Sequence, residues 1–265
     1  MSGRGVWLNP NFKFEVMRGN IPGWSWGQYF SVKQPIAKLT AQAIWETDLD
    51  EYSFLTSATV LQVSSSNAAD IGTVLQIVGL NSNLESISEL VVLNGQSGVA
   101  TLNSFYRIND FLAVDGQALA GTVYLSKSGD TLTAGVPAVA NQLSTIFQRS
   151  QFSALSTGLR SDNWAHTPAF TVPAGHTAFL IDIACTSGQG EELTFYGRAR
   201  RQGTVHFTNQ YPLQVNGNVQ AVDFWGAVQL SEGTDFVYYA NKVGQNANAS
   251  VKTSYLLRKN SINTL

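Results

Sequence analysis

Charge is scarce in this chain. Only 13% of its 265 residues are Asp, Glu, Lys or Arg, against roughly a quarter in an average globular domain. A net charge of −2 sets up no long-range field to gather a polyanion. Nucleic-acid binding, which rests on many phosphate contacts, is therefore not expected. The densest basic cluster, Arg198, Arg200 and Arg201, has Glu191 and Glu192 close by. Cysteine is reduced to Cys185, in the apolar run Ile181-Asp182-Ile183-Ala184-Cys185. One cysteine excludes an intrachain disulfide and a multi-thiolate metal site, and in such a run it reads as a small buried hydrophobe. That fits synthesis in a reducing cytoplasm. No apolar run approaches the ~20 residues that span a bilayer. No basic region followed by an apolar core marks a secretory leader. Long helical periods and alternating strand-helix units are missing as well, which argues against a doubly wound fold.

What is present is short strands separated by turn residues. Residues 73–79 alternate Leu75 and Ile77 with Val74, Gln76 and Val78, apolar on both faces, as in a strand inside two layers. Asn81-Ser82-Asn83 suits a tight hairpin loop because Asn tolerates positive φ. Asn94-Gly95 and Ser128-Gly129-Asp130 are further turn signals. Residues 137–163 break the pattern: Leu143, Ile146 and Phe147 suit a short helix or an extended connector, and 150–163 reads as a linker. Strand periodicity then restarts. Residues 170–181 read as strand, Pro173-Ala174-Gly175 turn, strand, and the runs 193–198, 205–207, 222–225, 236–240 and 251–257 follow. The expected fold is all-β: two β-sandwich or jelly-roll-like domains, at 46–155 and 156–265, behind an extended arm at 1–45.

That first segment packs aromatics between Gly, Pro and Asn. Four of the six tryptophans, Trp7, Trp24, Trp26 and Trp45, lie in it. No helical or alternating period runs long enough there to make a separate core. Two readings follow. The segment folds over its own domain, or it docks on a neighbouring subunit through Trp7, Phe12, Phe14, Trp24, Trp26, Tyr29 and Phe30. On the docking reading, deleting residues 1–35 abolishes docking and leaves the β-domains folded.

Candidates for chemistry are few. His166, His176 and His206 have no zinc-pair spacing. A cupin-like site would need them to converge from strands, and of the three only His206 falls in a predicted strand. No Gly-x-Ser-x-Gly elbow and no phosphate loop with its lysine occurs. Asp48, Asp50 and Glu51 form an acidic stretch without EF-hand spacing. No catalytic, metal or cofactor residue is assigned, and the chain is read as non-enzymatic. Trp225 and Tyr239 are candidate sugar-stacking platforms, alternation placing one of Tyr238 and Tyr239 inside and the other outside.

Several of these pieces, taken in order, carry a resemblance. Ala43-Ile44-Trp45, the strand at 60–66, Gly79-Leu80-Asn81, Ile87-Ser88-Glu89, Leu93-Asn94-Gly95 and 103–108 (Asn-Ser-Phe-Tyr-Arg-Ile) resemble an uncharacterised family of structural, decoration- or fibre-type proteins of tailed-bacteriophage virions. The run 170–180 resembles a strand opening found in that family and in many virion jelly rolls. The resemblance covers the middle and C-terminal two-thirds and supplies no catalytic residues. It implies a non-enzymatic virion component assembled in the host cytoplasm. The expected role is capsid decoration by a homotrimer whose partner is the major capsid protein or a tail component. The alternative is a tail fibre or tail-attached protein with a glycan-binding C-terminal domain.

Overall fold

The computed structural model describes residues 12–36, 41–45, 49–115, 118–146, 165, 167, 169–187, 192–216, 219–242 and 247–262. Over these residues the chain is all-β apart from a six-residue helix and one 3-10 turn. It divides into two compact units. One joins Met1–Ile44 to Thr171–Leu265, and the other is the uninterrupted stretch Trp45–Phe170. The expected break near residue 155 lies outside the described residues, and the chain changes unit at 170/171 instead.

In chain order, helix α1 (Phe12–Met17) is followed by β1 (Trp24–Ile36), β2 (Gln42–Ala43), β3 (Thr59–Ser65), β4 (Ile71–Leu80), β5 (Ser86–Asn94), β6 (Val99–Phe105) and β7 (Arg107–Ala113). Then come β8 (Val123–Lys127), β9 (Leu132–Thr133), β10 (Val136–Pro137), β11 (Gln142–Ile146), β12 (Ala169–Thr171) and β13 (His176–Ser187). The last five are β14 (Glu192–Arg200), β15 (Thr208–Asn216), β16 (Val219–Leu230), β17 (Asp235–Lys242) and β18 (Ala247–Lys259).

The second unit contains a four-stranded sheet ordered β11-β8-β3-β6 and a three-stranded sheet ordered β5-β4-β7. Their apolar residues, among them Leu61, Val63, Leu75, Ile77, Phe105, Phe111 and Leu125, form one core. The expected hairpins are present, with one difference in detail. The residue with positive φ after β4 is Leu84 (φ 61), not an asparagine. Asn81 instead accepts hydrogen bonds at Oδ1 from the N–H groups of Asn83 and Glu85 at 2.9 and 3.0 Å, which fixes the loop. Gly95 does have the left-handed φ (54°) expected of an Asn-Gly turn, and a Cβ there would lie 2.7 Å from the Ala68 carbonyl oxygen. Leu143 and Ile146 belong to strand β11, so of the two readings the extended one holds.

Turn residues of the second unit are tied together by Asp70, which is buried. Its carboxylate accepts bonds from Ser65 Oγ (2.5 Å), Ala120 N (2.7 Å) and Gly121 N (2.9 Å). Arg107, in the run that resembles the phage family, plays a similar part. Its Nη1 donates to the Leu55 carbonyl at 2.8 Å, and its guanidinium lies 3.9 Å from the centre of the Tyr106 ring.

In the first unit the strand pairing is nested. Strand β1 pairs with β18, β13 with β16, and β14 with β15, while β2 and β12 both neighbour β17. Sheet order is β1-β18-β13-β16 on one side and β12-β17-β14-β15 on the other. This is the jelly-roll order: a long hairpin rolled up so that early strands meet late ones. Strand β2 faces Tyr239 and Ala240, and β12 leads into Val172, which bonds Thr234 at 3.1 Å. The two short strands thus occupy the same edge of β17 as halves of one strand. The chain of the second unit is inserted between them.

The aromatic N-terminal segment is therefore not an extended arm over its described part. From Trp24 to Ile36 it is an edge strand of the jelly roll, in register with β18 from Trp24↔Arg258 to Ile36↔Ala247. Helix α1 packs against this sheet. Phe12 and Val16, one turn apart, are buried with Leu256, beside Trp24 and Ile181. Gly19 (φ 75) ends the helix, its N–H bonding Val16 O and the next N–H bonding Glu15 O, each at 2.9 Å.

Candidate functional site

The residues expected to dock on a partner fall into two groups. Phe12 and Tyr29 are buried in their own unit: Phe12 meets Trp24 edge-on with ring centres 5.0 Å apart, and Tyr29 lies 5.7 Å from Tyr238. Trp24 and Phe30 are half-buried, Trp24 lying 5.6 Å from Phe179. These side chains hold the jelly roll together, because an aromatic edge strand needs apolar neighbours on the sheet it joins. The second group is exposed. Phe14 on α1 is 58% accessible and Trp26 on β1 is 37% accessible, with Met17 exposed between them in sequence. Trp7 lies outside the described residues.

An ion pair anchors the helix. Lys13 Nζ lies 3.0 Å from Asp182 Oδ2, and Asp182 Oδ1 accepts the Ser254 N–H at 2.9 Å. Burial raises the Asp182 carboxyl, but the hydrogen bonds from Lys13 and Ser254 and the Lys13 charge outweigh it and hold the group below the ordinary carboxylate value. Cys185 is fully buried, and burial pushes its thiol up to about 12, so it behaves as a core residue.

The expected sugar platforms do not survive as drawn. Tyr238 and Tyr239 are both buried, each 2% exposed, so the alternation of inside and outside fails along β17. Tyr238 faces the core beside Phe236 and Tyr29. Tyr239 stacks on Tyr196 with ring centres 6.1 Å apart and lies 4.0 Å beneath the Arg198 guanidinium. Its face is thus taken by protein. Trp225 lies in strand β16, and its side chain is outside the described residues.

The basic cluster likewise separates. Arg198 covers Tyr239, while Arg200 donates through Nη2 to Asp235 Oδ2 at 2.5 Å, and Asp235 Oδ1 accepts Thr171 Oγ1 at 2.7 Å. Arg201 alone points to a concave region. A groove of about 730 Å3 at one end of the jelly roll is lined by Arg201, Thr204, His206, Thr208, Gln229 and Ser231, among others. The expected strand at 205–207 is a loop: Gly203 has φ 78, and β15 begins only at Thr208. Val205 and Phe207 mimic strand alternation, but the glycine turn just before them puts His206 on an exposed loop rather than facing inward. Arg-Gln-Gly-Thr followed by His was the legible signal, a turn rich in donors. Guanidinium, imidazole, amide and hydroxyls around one hollow can bind an anionic, hydroxyl-rich ligand.

The remaining histidines do not join this group. His176 Nδ1 lies 2.9 Å from the Ala174 carbonyl in the Pro-Ala-Gly turn, and His166 is outside the described residues. Asp48 is outside them too; Asp50 is half-buried and Glu51 exposed. Among the described residues no three of His, Cys, Asp and Glu cluster closely enough to hold a metal. No described helix is long and apolar enough to cross a membrane.

No family model matches the chain, and no curated protein is recognisably similar to it in sequence. Among solved structures, the infectious bursal disease virus VP2 subviral particle aligns at 9% identity over 94% of this chain and 82% of that one, with a TM-score of 0.16. T=1 particles derived from infectious bursal virus align at 11% identity over 94% and 79%, with a TM-score of 0.12. Similarity at that level carries no argument about fold or function.

Proposed function

We propose that this is a non-enzymatic structural protein of a tailed-phage virion, a capsid-decorating subunit of cement or head-fibre type that docks on the major capsid protein. The frame for the reading is the nested strand order of the first unit, with a second β-sandwich inserted into it, and the observation that carries it is the turn-fixing motif order from Ala43 to Ile108. Jelly rolls serve viral capsids, lectins and cupins alike, and fold alone does not choose between these roles. The choice comes from residues. His176 is engaged in a turn and His206 sits on an outer loop, so these two do not converge on a cupin-type centre. The motif order from Ala43 to Ile108 resembles virion proteins, and its residues fix turns: Asn81 closes the β4–β5 loop, Gly95 the next turn, and Arg107 ties β7 to the segment before β3. A rigid module of that kind suits a coat component.

Docking is assigned to Phe14, Met17 and Trp26, since the other described aromatics of the segment are buried or half-buried in their own unit. The test uses Phe14→Ser/Trp26→Ser rather than a deletion, because a deletion would remove strand β1. Virions assembled with this double variant are expected to lose the protein, while wild-type virions carry it over the head in hundreds of copies by immunogold counting. Unchanged incorporation of the double variant overturns the docking residues. Labelling confined to the tail overturns capsid decoration.

The groove favours a second reading, a tail-attached protein that binds a glycan. Arg201 and His206 among hydroxyl-bearing side chains fit an acidic saccharide, and the site replaces Tyr239, whose ring is covered. Titration calorimetry with sialylated and sulfated oligosaccharides checks it. Binding abolished by Arg201→Ala and unchanged by Tyr239→Phe supports this reading, and no heat with either saccharide class ends it.

A further inference from the structure

The three-stranded sheet of the second unit is apolar on both faces. Its inner face sends Leu75, Ile77, Val91, Leu93 and Phe111 into the core. On its outer face the register sets Val74 opposite Val92, and Gln76 between Leu90 and Leu112. Val114 adjoins this patch, its N–H bonding Val74 O at 2.9 Å. Ile71 is 64% exposed, Leu90 61%, Val92 55% and Val114 45%. These four leave on the order of 400 Å2 of aliphatic surface open, within the range of the largest patch on a monomer, which is often functional.

We propose that this face is an interface with a second copy of the same chain, packed sheet on sheet. Two arguments select that occupant. The first is area: a standard interface buries about 800 Å2 per partner, some two-thirds of it apolar in homodimers. The patch supplies most of that apolar part, and Gln76, Ser88 and Asn94 supply polar surroundings. Two carboxylates lie at its margin: Asp110, half-buried opposite Val78, and exposed Asp115, which takes the Val74 N–H at 2.7 Å. The second is geometry. Sheets stack face to face about 10 Å apart, and a twofold axis brings one apolar row over its counterpart. Edge-to-edge pairing at the adjoining strand β6 is disfavoured, because the Glu89 carboxylate already takes the N–H groups of Leu102 and Asn103 at 2.6 and 2.8 Å.

The inference is independent of where the protein works, since mass in solution and copy number on a virion are separate readouts. Sedimentation equilibrium of the full chain across the micromolar range tests it, alongside Leu90→Lys/Val92→Lys and Leu90→Cys. Both positions are exposed in the single chain, so each variant is expected to keep a cooperative thermal transition. The wild type is expected to self-associate, and the double-lysine variant to lose that association completely. Leu90→Cys is expected to give a covalent dimer with a flexible bis-maleimide; Cys185, the sole native cysteine, is buried and gives no background. A monomeric wild type, a double-lysine variant of wild-type mass, or a self-associated Leu90→Cys protein that does not cross-link would each overturn the proposal.

Discussion

Strands of the second unit find their partners within one uninterrupted segment. Leu80 faces Ser86 across a short loop, and β4 lies between β5 and β7. In the first unit, Trp24 faces Arg258 and Gln42 faces Ala240. One unit is a contiguous stretch that closes on itself, and the other is assembled from the two segments that flank it in sequence. This contrast bears on the order of folding events. Loop-closure entropy must be met before distant contacts repay it. The second unit can form from its own segment, whereas the first cannot complete its sheets until strand β18 exists to receive β1.

Removing residues 1–35 separates the two units most sharply. It strips β1 from β18 and uncovers Leu256, so the first unit is expected to lose its cooperative unfolding transition in calorimetry while the second keeps its own. Survival of both transitions would restore the detachable arm. Large-to-small changes in each core come next. Phe111→Ala and Phe195→Ala each remove a fully buried ring and are expected to cost about 3–5 kcal/mol. Each should lower only the transition of its own unit, and a common drop would show that the two melt as one.

A smaller effect, confined to the second unit, is expected from Asp70→Ala. The loss leaves the buried Gly121 N–H and the part-buried Ala120 N–H without their acceptor, about 2–3 kcal/mol by denaturant titration. The smallest is Lys13→Met in the first unit. Lys13 is partly exposed, so the loss at neutral pH is under about 1 kcal/mol after screening. Its pH dependence carries the sign. The Asp182 carboxyl is lowered in the folded state, so the pair stabilises above the unfolded carboxylate value near pH 4. That contribution is lost as pH falls through the lowered folded value. The gap in melting temperature between wild type and Lys13→Met should therefore be open at pH 7 and close in strong acid, with the second unit unaffected.

The legibility of the two units follows the same division. Hairpin residues such as Asn94-Gly95 and Pro173-Ala174-Gly175 act within four residues, so their turns could be read directly. The aromatic segment could not be read so, because Tyr29 and Trp24 find their apolar neighbours, Tyr238 and Phe179, far away in the chain. With only local pattern to go on, an edge strand of a distant sheet looks like an unattached arm. Tyr239 shows the same limit. Period-two alternation assigns one face to solvent, but that face of β17 is occupied by Tyr196 and Arg198. At the groove, Gly203 was the local cue that Val205 and Phe207 obscured.

That the chain is all-β, where most turns fall and that Cys185 is a core residue are legible in the amino acids alone, because each depends on backbone preferences or apolar runs read over a few positions. That the N-terminal segment is the first strand of the C-terminal jelly roll, that one sandwich is inserted into the other and which described aromatics remain exposed emerge only from the folded chain. Those outcomes depend on which distant edge a strand pairs with, and pairing energy between remote strands leaves no periodic trace in either one.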